Sequence, residues 1–205
     1  GLISLVYNSQ LGQYGGDTAI SVYAVVSSMM TFVIMPASGI SQGIQPIVGN
    51  NFGAKQYHRV MATLYQASAF SVGITCVIWI LIMVFPEAIL AAFGATEDML
   101  AIGVPGLRAN FCITPILGFV MLVTTFFQSI AKPMPSIVIT FLRQILFLIP
   151  LIYILPWLWD INGIFMAQPI SDALALIISI FFVIREQRTL YSLSDNPVQA
   201  GPMAS

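Results

Sequence analysis

Apolar residues in this chain do not alternate with polar ones; they come in long runs divided by short polar breaks. A helix needs about 20 mainly apolar residues to cross the hydrocarbon core of a bilayer. Five stretches reach that length: 18–49, 59–85, 99–130, 134–156 and 161–184. A shorter apolar piece, 1–11, reads as the end of a sixth helix. The breaks run from Gly12 to Asp17, Gly49 to Arg59, Pro86 to Asp98, Ala131 to Pro135 and Pro156 to Asn162. The lack of period-two alternation argues against a transmembrane β-barrel. The pattern therefore predicts an all-α membrane protein, a bundle of five complete transmembrane helices plus the truncated end of a sixth. Residues 188–205 are polar and contain Pro197 and Pro202, which predicts a disordered tail.

Composition agrees with the pattern. Hydrophobic residues make up 58% of the chain and charged residues 7%, against about 25% charged in a soluble domain. So few charges cannot cover a soluble surface, and the apolar surplus has to face lipid. The formal net charge of -1 supplies no basic field for nucleic acid. Cys76 and Cys112 stand far apart in apolar surroundings, without metal or disulfide spacing, and read as small buried residues. The chain opens on apolar Gly1-Leu2-Ile3 rather than on Met, which reads as a sequence cut from something longer.

Charge placement sets the expected orientation. Lys55, Arg59, Lys132, Arg143, Arg185 and Arg188 fall at or near one set of alternate helix ends, and Asp17, Glu87, Glu97, Asp98 and Asp160 at the other. Cations mark the cytoplasmic side, so the tail is expected to be cytoplasmic. His58 falls in a cytoplasmic loop and reads as a solvated residue.

Two predicted helices are irregular. The stretch 18–49 contains Pro36 and Pro46, and 99–130 contains Pro105 and Pro115. Proline removes a helical hydrogen bond and kinks the helix. Kinks at Pro36 and Pro115 suit either a bending transport element or static packing. Gly39 and Gly43, four apart, would let another backbone approach closely.

Charges at membrane depth are costly and usually face a cavity or a partner. Arg108 and Asp172 are read as the deep pair, at nearly equal depth, and are expected to approach each other or to share one hydrated cavity. Gln42 and Gln45 share a helix face; Tyr7, Asn8 and Gln10 cluster on the first, truncated helix. Gln128 and Gln144 flank a cytoplasmic turn, and Gln168 precedes Pro169 close to Asp172. Such amides bind substrate or hold helices together. Met29, Met30, Met35, Met121 and Met166 offer an adaptable lining or plain apolar packing. The candidate substrate and ion pathway is thus Tyr7, Asn8, Gln42, Gln45, Arg108 and Asp172. No phosphate-binding loop, zinc motif or nucleophile elbow is found. No enzymatic activity, cofactor or metal is expected, and any transport would draw on ion gradients.

The segment Gly39-Ile-Ser-Gln-Gly-Ile-Gln-Pro-Ile-Val-Gly-Asn-Asn-Phe-Gly-Ala-Lys55 resembles the second helix and following loop of a half-repeat in the multidrug and toxic compound extrusion (MATE) family. The resemblance is closest to its MepA-like bacterial branch. Supporting stretches are Tyr7-Asn8, Gly15 to Ile20, Gly106-Leu107-Arg108 and Gln168 to Asp172. The resemblance implies two six-helix lobes around a central cavity. This chain would be the C-terminal lobe, residues 1–187 with the first helix truncated, followed by the tail 188–205. It implies export of organic cations or drugs in exchange for protons or sodium ions, by rocking against an N-terminal half. It also implies a multi-pass protein of the bacterial inner (plasma) membrane. Some branches carry a carboxylate in the first helix of this lobe and in the helix that here holds Arg108. This chain offers Asn8 and no acid at those places, which leaves Asp172 as the deep carboxylate. Competing readings are a lipid-linked oligosaccharide flippase of the same superfamily and a non-transporting membrane scaffold.

Overall fold

The computed structural model describes residues 2–195. Among them the chain is all helix: α1 (Leu2–Gly53), α2 (Tyr57–Val84), α3 (Pro86–Ala92), α4 (Glu97–Phe111), α5 (Thr114–Ser129), α6 (Pro133–Phe141), a π-helical segment (Leu142–Leu148), α7 (Ile149–Ile154) and α8 (Pro156–Asp195). Four helical stretches are long and apolar enough to cross a membrane, or five if the bent pair α4–α5 forms one span.

The breaks fall where the polar residues are. α1 changes direction at Gly16, whose φ of 62° and ψ of -158° leave the helical region. That conformation is open to glycine and strained for other residues. The first apolar piece, 2–15, is therefore a separate limb of α1, set apart at the break expected from Gly12 to Asp17. α8 breaks at Trp159 and Asp160 (φ 48°), so its long body begins at residue 161, as the polar break there predicts. Trp157 and Trp159 are exposed beside this turn, at a level suited to interfacial aromatics.

Proline acts unevenly. α4 and α5 meet at a bend of 45°, directly before Pro115, which occupies the first turn of α5. The expected break at Pro115 is thus present, and 99–130 is two helices. At Pro36 the torsions stay helical, and the break in α1 lies at Gly16 instead. The stretch 134–156 is interrupted by the π-helical segment, which ends just before Pro150. A proline cannot donate the next helical bond, and its ring presses on the carbonyl four residues back. A widened turn relieves that contact.

Two predicted features are corrected. α8 runs on to Asp195, so 188–195 continue the last helix instead of starting a tail; residues 196–205 of the expected tail lie outside the described residues. This polar end is held by side-chain contacts. Tyr65 donates to Gln187 at 2.7 Å, His58 stacks on Tyr191 at 4.8 Å, and Lys132 pairs with Glu186 at 2.6 Å. The other correction concerns Gly39 and Gly43: among the described residues nothing lies within 4 Å of where their Cβ atoms would be. Tight approaches are found elsewhere, among them Gly15 against Ile161, Gly103 against Leu90, Gly106 against Phe165, Gly118 against Ser71, and Gly163 against the backbone of Leu155.

The Lys132–Glu186 pair sits at the polar end of the bundle, with the lysine side chain 38% exposed. Solvent screening keeps such pairs to about 1 kcal/mol or less. We expect Lys132→Gln to lower the stability of the chain in detergent by no more than that, as measured by chemical denaturation.

The apolar interior is two clusters stacked along the bundle. One contains Val33, Leu107, Leu117, Leu148 and Ala167. The other contains Ile44, Leu64, Val120, Ile139 and Ala175. Each long helix passes from the first to the second. At the changeover lie Ser68, Ser71 and Thr75 of α2, Gly118 of α5, Arg143 of the π-helical segment, and Gln168, Ser171 and Asp172 of α8. A polar belt thus crosses the middle of an otherwise apolar bundle.

A candidate polar cleft at mid-membrane

Arg143 lies ten residues in from Pro133, which at 1.5 Å per residue is about 15 Å into the span. It is therefore not at a helix end. Asp172 lies eleven residues past residue 161, about 16 Å in by the same rise. The two meet: Arg143 Nη1 donates to Asp172 Oδ1 at 3.2 Å, with side-chain exposures of 18% and 8%. The expected pairing of Arg108 with Asp172 is thus corrected. Asp172 pairs with Arg143, and Arg108 is exposed on α4.

The contact is built at more than one point. Gln168 Nε2 donates to both Asp172 oxygens, at 3.2 and 3.3 Å. One helical turn separates these residues, so they share a face of α8. Ser171 Oγ donates to the Arg143 carbonyl at 2.5 Å; that oxygen has two lone pairs and can take a side-chain donor besides a helical one. Adjacent residues of α8 thus bind the main chain and the side chain of one arginine. This fixes the rotation of the π-helical segment against α8. Burying two charges is tolerated only when they are paired and further hydrogen-bonded, and Gln168 supplies the further bonds.

Two small cavities flank this cluster. One, of about 190 Å³, is lined by Arg143, Gln144 and Gln168 together with Met30, Met121 and Leu148, among others. The second, of about 130 Å³, is lined by Tyr7, Tyr23, Ser27, Met30, Asn110 and Gln168. Met30 and Gln168 border both, so they are neighbouring parts of one cleft. Tyr7 and Tyr23 stack with centroids 4.5 Å apart. Among the described residues the Tyr7 hydroxyl and Asn110 Oδ1 are buried without a hydrogen-bond partner, while Asn110 Nδ2 donates to the Phe165 carbonyl at 3.2 Å. Polar atoms of this kind take up water or a ligand group. Each cavity is smaller than the ~300 Å³ at which drug-sized pockets begin.

The sequence-derived candidates divide accordingly. Tyr7 lines the cleft, with Gln168, Gln144, Met30 and Met121 in its wall; Asp172 lines neither cavity and touches the cleft through its bonds with Arg143 and Gln168. Asn8, Gln42, Gln45 and Arg108 are exposed and line neither cavity. Arg143, Tyr23, Ser27 and Asn110 were missed. Arg143 carried a usable signal, since it interrupts the apolar run 134–156 at the depth that singled out Arg108. Among the described residues no cluster of His, Cys, Asp and Glu suited to a metal ion occurs.

Comparison with known proteins gives a consistent picture. The MatE family model matches residues 2–154. A protein described as a FAD transporter from Shewanella oneidensis is 21% identical over 77% of this chain and 35% of its own length. Multidrug export protein MepA from Staphylococcus aureus is 21% identical over 93% of this chain and 42% of its own length. The chain thus spans less than half the length of these curated relatives. Among solved structures, the MATE multidrug transporter DinF-BH is 36% identical, with a TM-score of 0.77 over 90% of this chain and 41% of that one. A MATE in its bent conformation superposes with a TM-score of 0.88 over 95% of this chain and 43% of its own, at 17% identity, a likeness of fold.

Proposed function

The chain belongs to the MatE family of membrane transporters, and from that premise we propose that it is one lobe of a secondary multidrug exporter. The observation that carries the reading is the polar belt at mid-membrane, where Gln168 borders two adjoining cavities and Arg143, paired with Asp172, lines the larger of the two. Ionisable groups at that depth mark substrate and ion pathways in transporters. The matched structures are more than twice as long as the aligned part of this chain, and an N-terminal half would close the cleft from the opposite side. Transport then proceeds by rocking of the two lobes about the substrate. Efflux of drugs or other amphipathic organic molecules is exchanged for protons or sodium ions. The names of two relatives, a multidrug export protein and a FAD transporter, support a cleft that accepts large organic molecules. The placement of Lys55, Lys132 and Arg185 favours a cytoplasmic C-terminus in the bacterial plasma membrane.

Efflux of a lipophilic dye from native membrane vesicles tests the coupling. We expect efflux to stop when the proton and sodium gradients are both dissipated by ionophores. Dye efflux that continues at full rate without either gradient rejects the antiport mechanism.

A further inference from the structure

The larger cavity has a polarity that the ion pair does not suggest at first sight. Arg143 lines it and Asp172 does not; among the described residues that line it, none is acidic. Of the five N–H groups of a guanidinium, one is used among the described residues, in the bond to Asp172. A third cavity of about 140 Å³, shaped by Met121, Thr124 and Thr140, also opens on Arg143. A cation held at the middle of a membrane span, with most of its donors directed to no protein acceptor, is an incomplete arrangement. Asp172 fixes the guanidinium and is itself held by Gln168; of the ion pair only Arg143 reaches the cavity, so what the pair presents there is a set of N–H donors. The rest of the wall, Met30, Ile34, Leu117, Met121 and Leu148, is apolar. An apolar pocket with a few converging polar groups is the usual form of a small-molecule site.

Resting on the reading of this cleft as the substrate-facing wall of the lobe, we infer that it takes the anionic head of a soluble amphipathic molecule, a carboxylate or phosphate joined to a flat apolar body. The head accepts hydrogen bonds from the free edge of the Arg143 guanidinium and from the amide of Gln144, which lines the same cavity. The apolar body lies against Met30 and Met121, whose unbranched side chains adapt to varied shapes. Asp172 is a positioning residue for Arg143. The organic cations implied by family resemblance would meet a like charge on this wall, and cation recognition is left to the opposite side of the site.

Three ligands with one ring system test this: 2-naphthylacetate, 2-naphthylacetamide and (2-naphthylmethyl)trimethylammonium. Their binding to the chain in phosphatidylcholine nanodiscs is measured by equilibrium dialysis without any ion gradient. The acetate is expected to bind about tenfold tighter than the amide, since a charge-assisted hydrogen bond is roughly twice as strong as a neutral one. Asp172→Asn retains the guanidinium and is expected to keep that preference. The double variant Arg143→Gln/Asp172→Asn is expected to abolish it while the amide still binds. Equal binding of acetate and amide, tighter binding of the ammonium, or an acetate preference that survives the double variant would each overturn the inference. Displacement of the acetate by phosphatidylglycerol added to the nanodisc would reassign the anion to a lipid and overturn the soluble substrate. Because no gradient is present, these outcomes are separate from the coupling experiment, which can fail while anion binding stands.

Discussion

Arg143→Ala is expected to destabilise the chain by about 3–5 kcal/mol, the range for breaking a buried pair by removing one partner. The variant leaves Asp172, 6% exposed, with only the Gln168 amide to compensate its charge. It also removes the guanidinium stem from the packing between the π-helical segment and α8. Thermal unfolding in detergent, followed by size-exclusion chromatography, measures the loss. Arg143→Gln/Asp172→Asn removes both charges together and is expected to recover most of the stability, because a neutral polar pair has little desolvation to repay. If the double variant is no more stable than Arg143→Ala, the pair does not act as an electrostatic unit. Asp172→Asn should cost less than Arg143→Ala, since Arg143 keeps access to the cavity and can be hydrated there.

The bundle itself was legible in the sequence. The apolar runs and polar breaks placed the helices, and the break at Gly16 and the bend before Pro115 fell where Gly12–Asp17 and Pro115 indicated. Run length carries this information because a helix in lipid must satisfy its own backbone. Helix ends were less legible. The segment 188–195 looked like tail because its composition is polar, yet Tyr65, His58 and Lys132, from distant parts of the chain, hold this end of α8 as helix. Such contacts leave no local pattern.

The cleft was legible only in part. Asp172 was found because an acid in an apolar run has few harmless explanations. Its partner was not legible, because the matching depth of Arg108 and Asp172 does not say which helix faces meet. Arg108 is exposed on α4, while Arg143, grouped with the helix ends, lies beside Asp172. The π-helical register that turns Arg143 toward α8 was not expected, although Pro150 marks where it ends. Asn8 illustrates the converse: next in sequence to Tyr7, it lies on another face of α1 and is exposed.

Gly163→Ala is expected to cost about 1–3 kcal/mol, the range for inserting a methyl group where there is no room. An added Cβ would lie 2.4 Å from the Leu155 carbonyl oxygen, 2.5 Å from its carbon and 2.8 Å from the Pro156 nitrogen. All three are backbone atoms, and Pro156 cannot yield by changing φ. Relief therefore requires the α7–α8 turn to open, which moves the start of the α8 body. That segment carries Phe165, whose carbonyl binds Asn110 and whose ring lies against Gly106, so the strain reaches the smaller cavity. Gly43→Ala is the matched control. Its added methyl meets nothing among the described residues, and the higher helix propensity of alanine should stabilise the isolated chain by about 0.5–1 kcal/mol. Thermal unfolding of the two variants side by side should therefore shift in opposite directions. A Gly163→Ala chain as stable as the parent would show that the α7–α8 turn is not closed against residue 163, and the rigid placement of the cleft wall on α8 would fall with it.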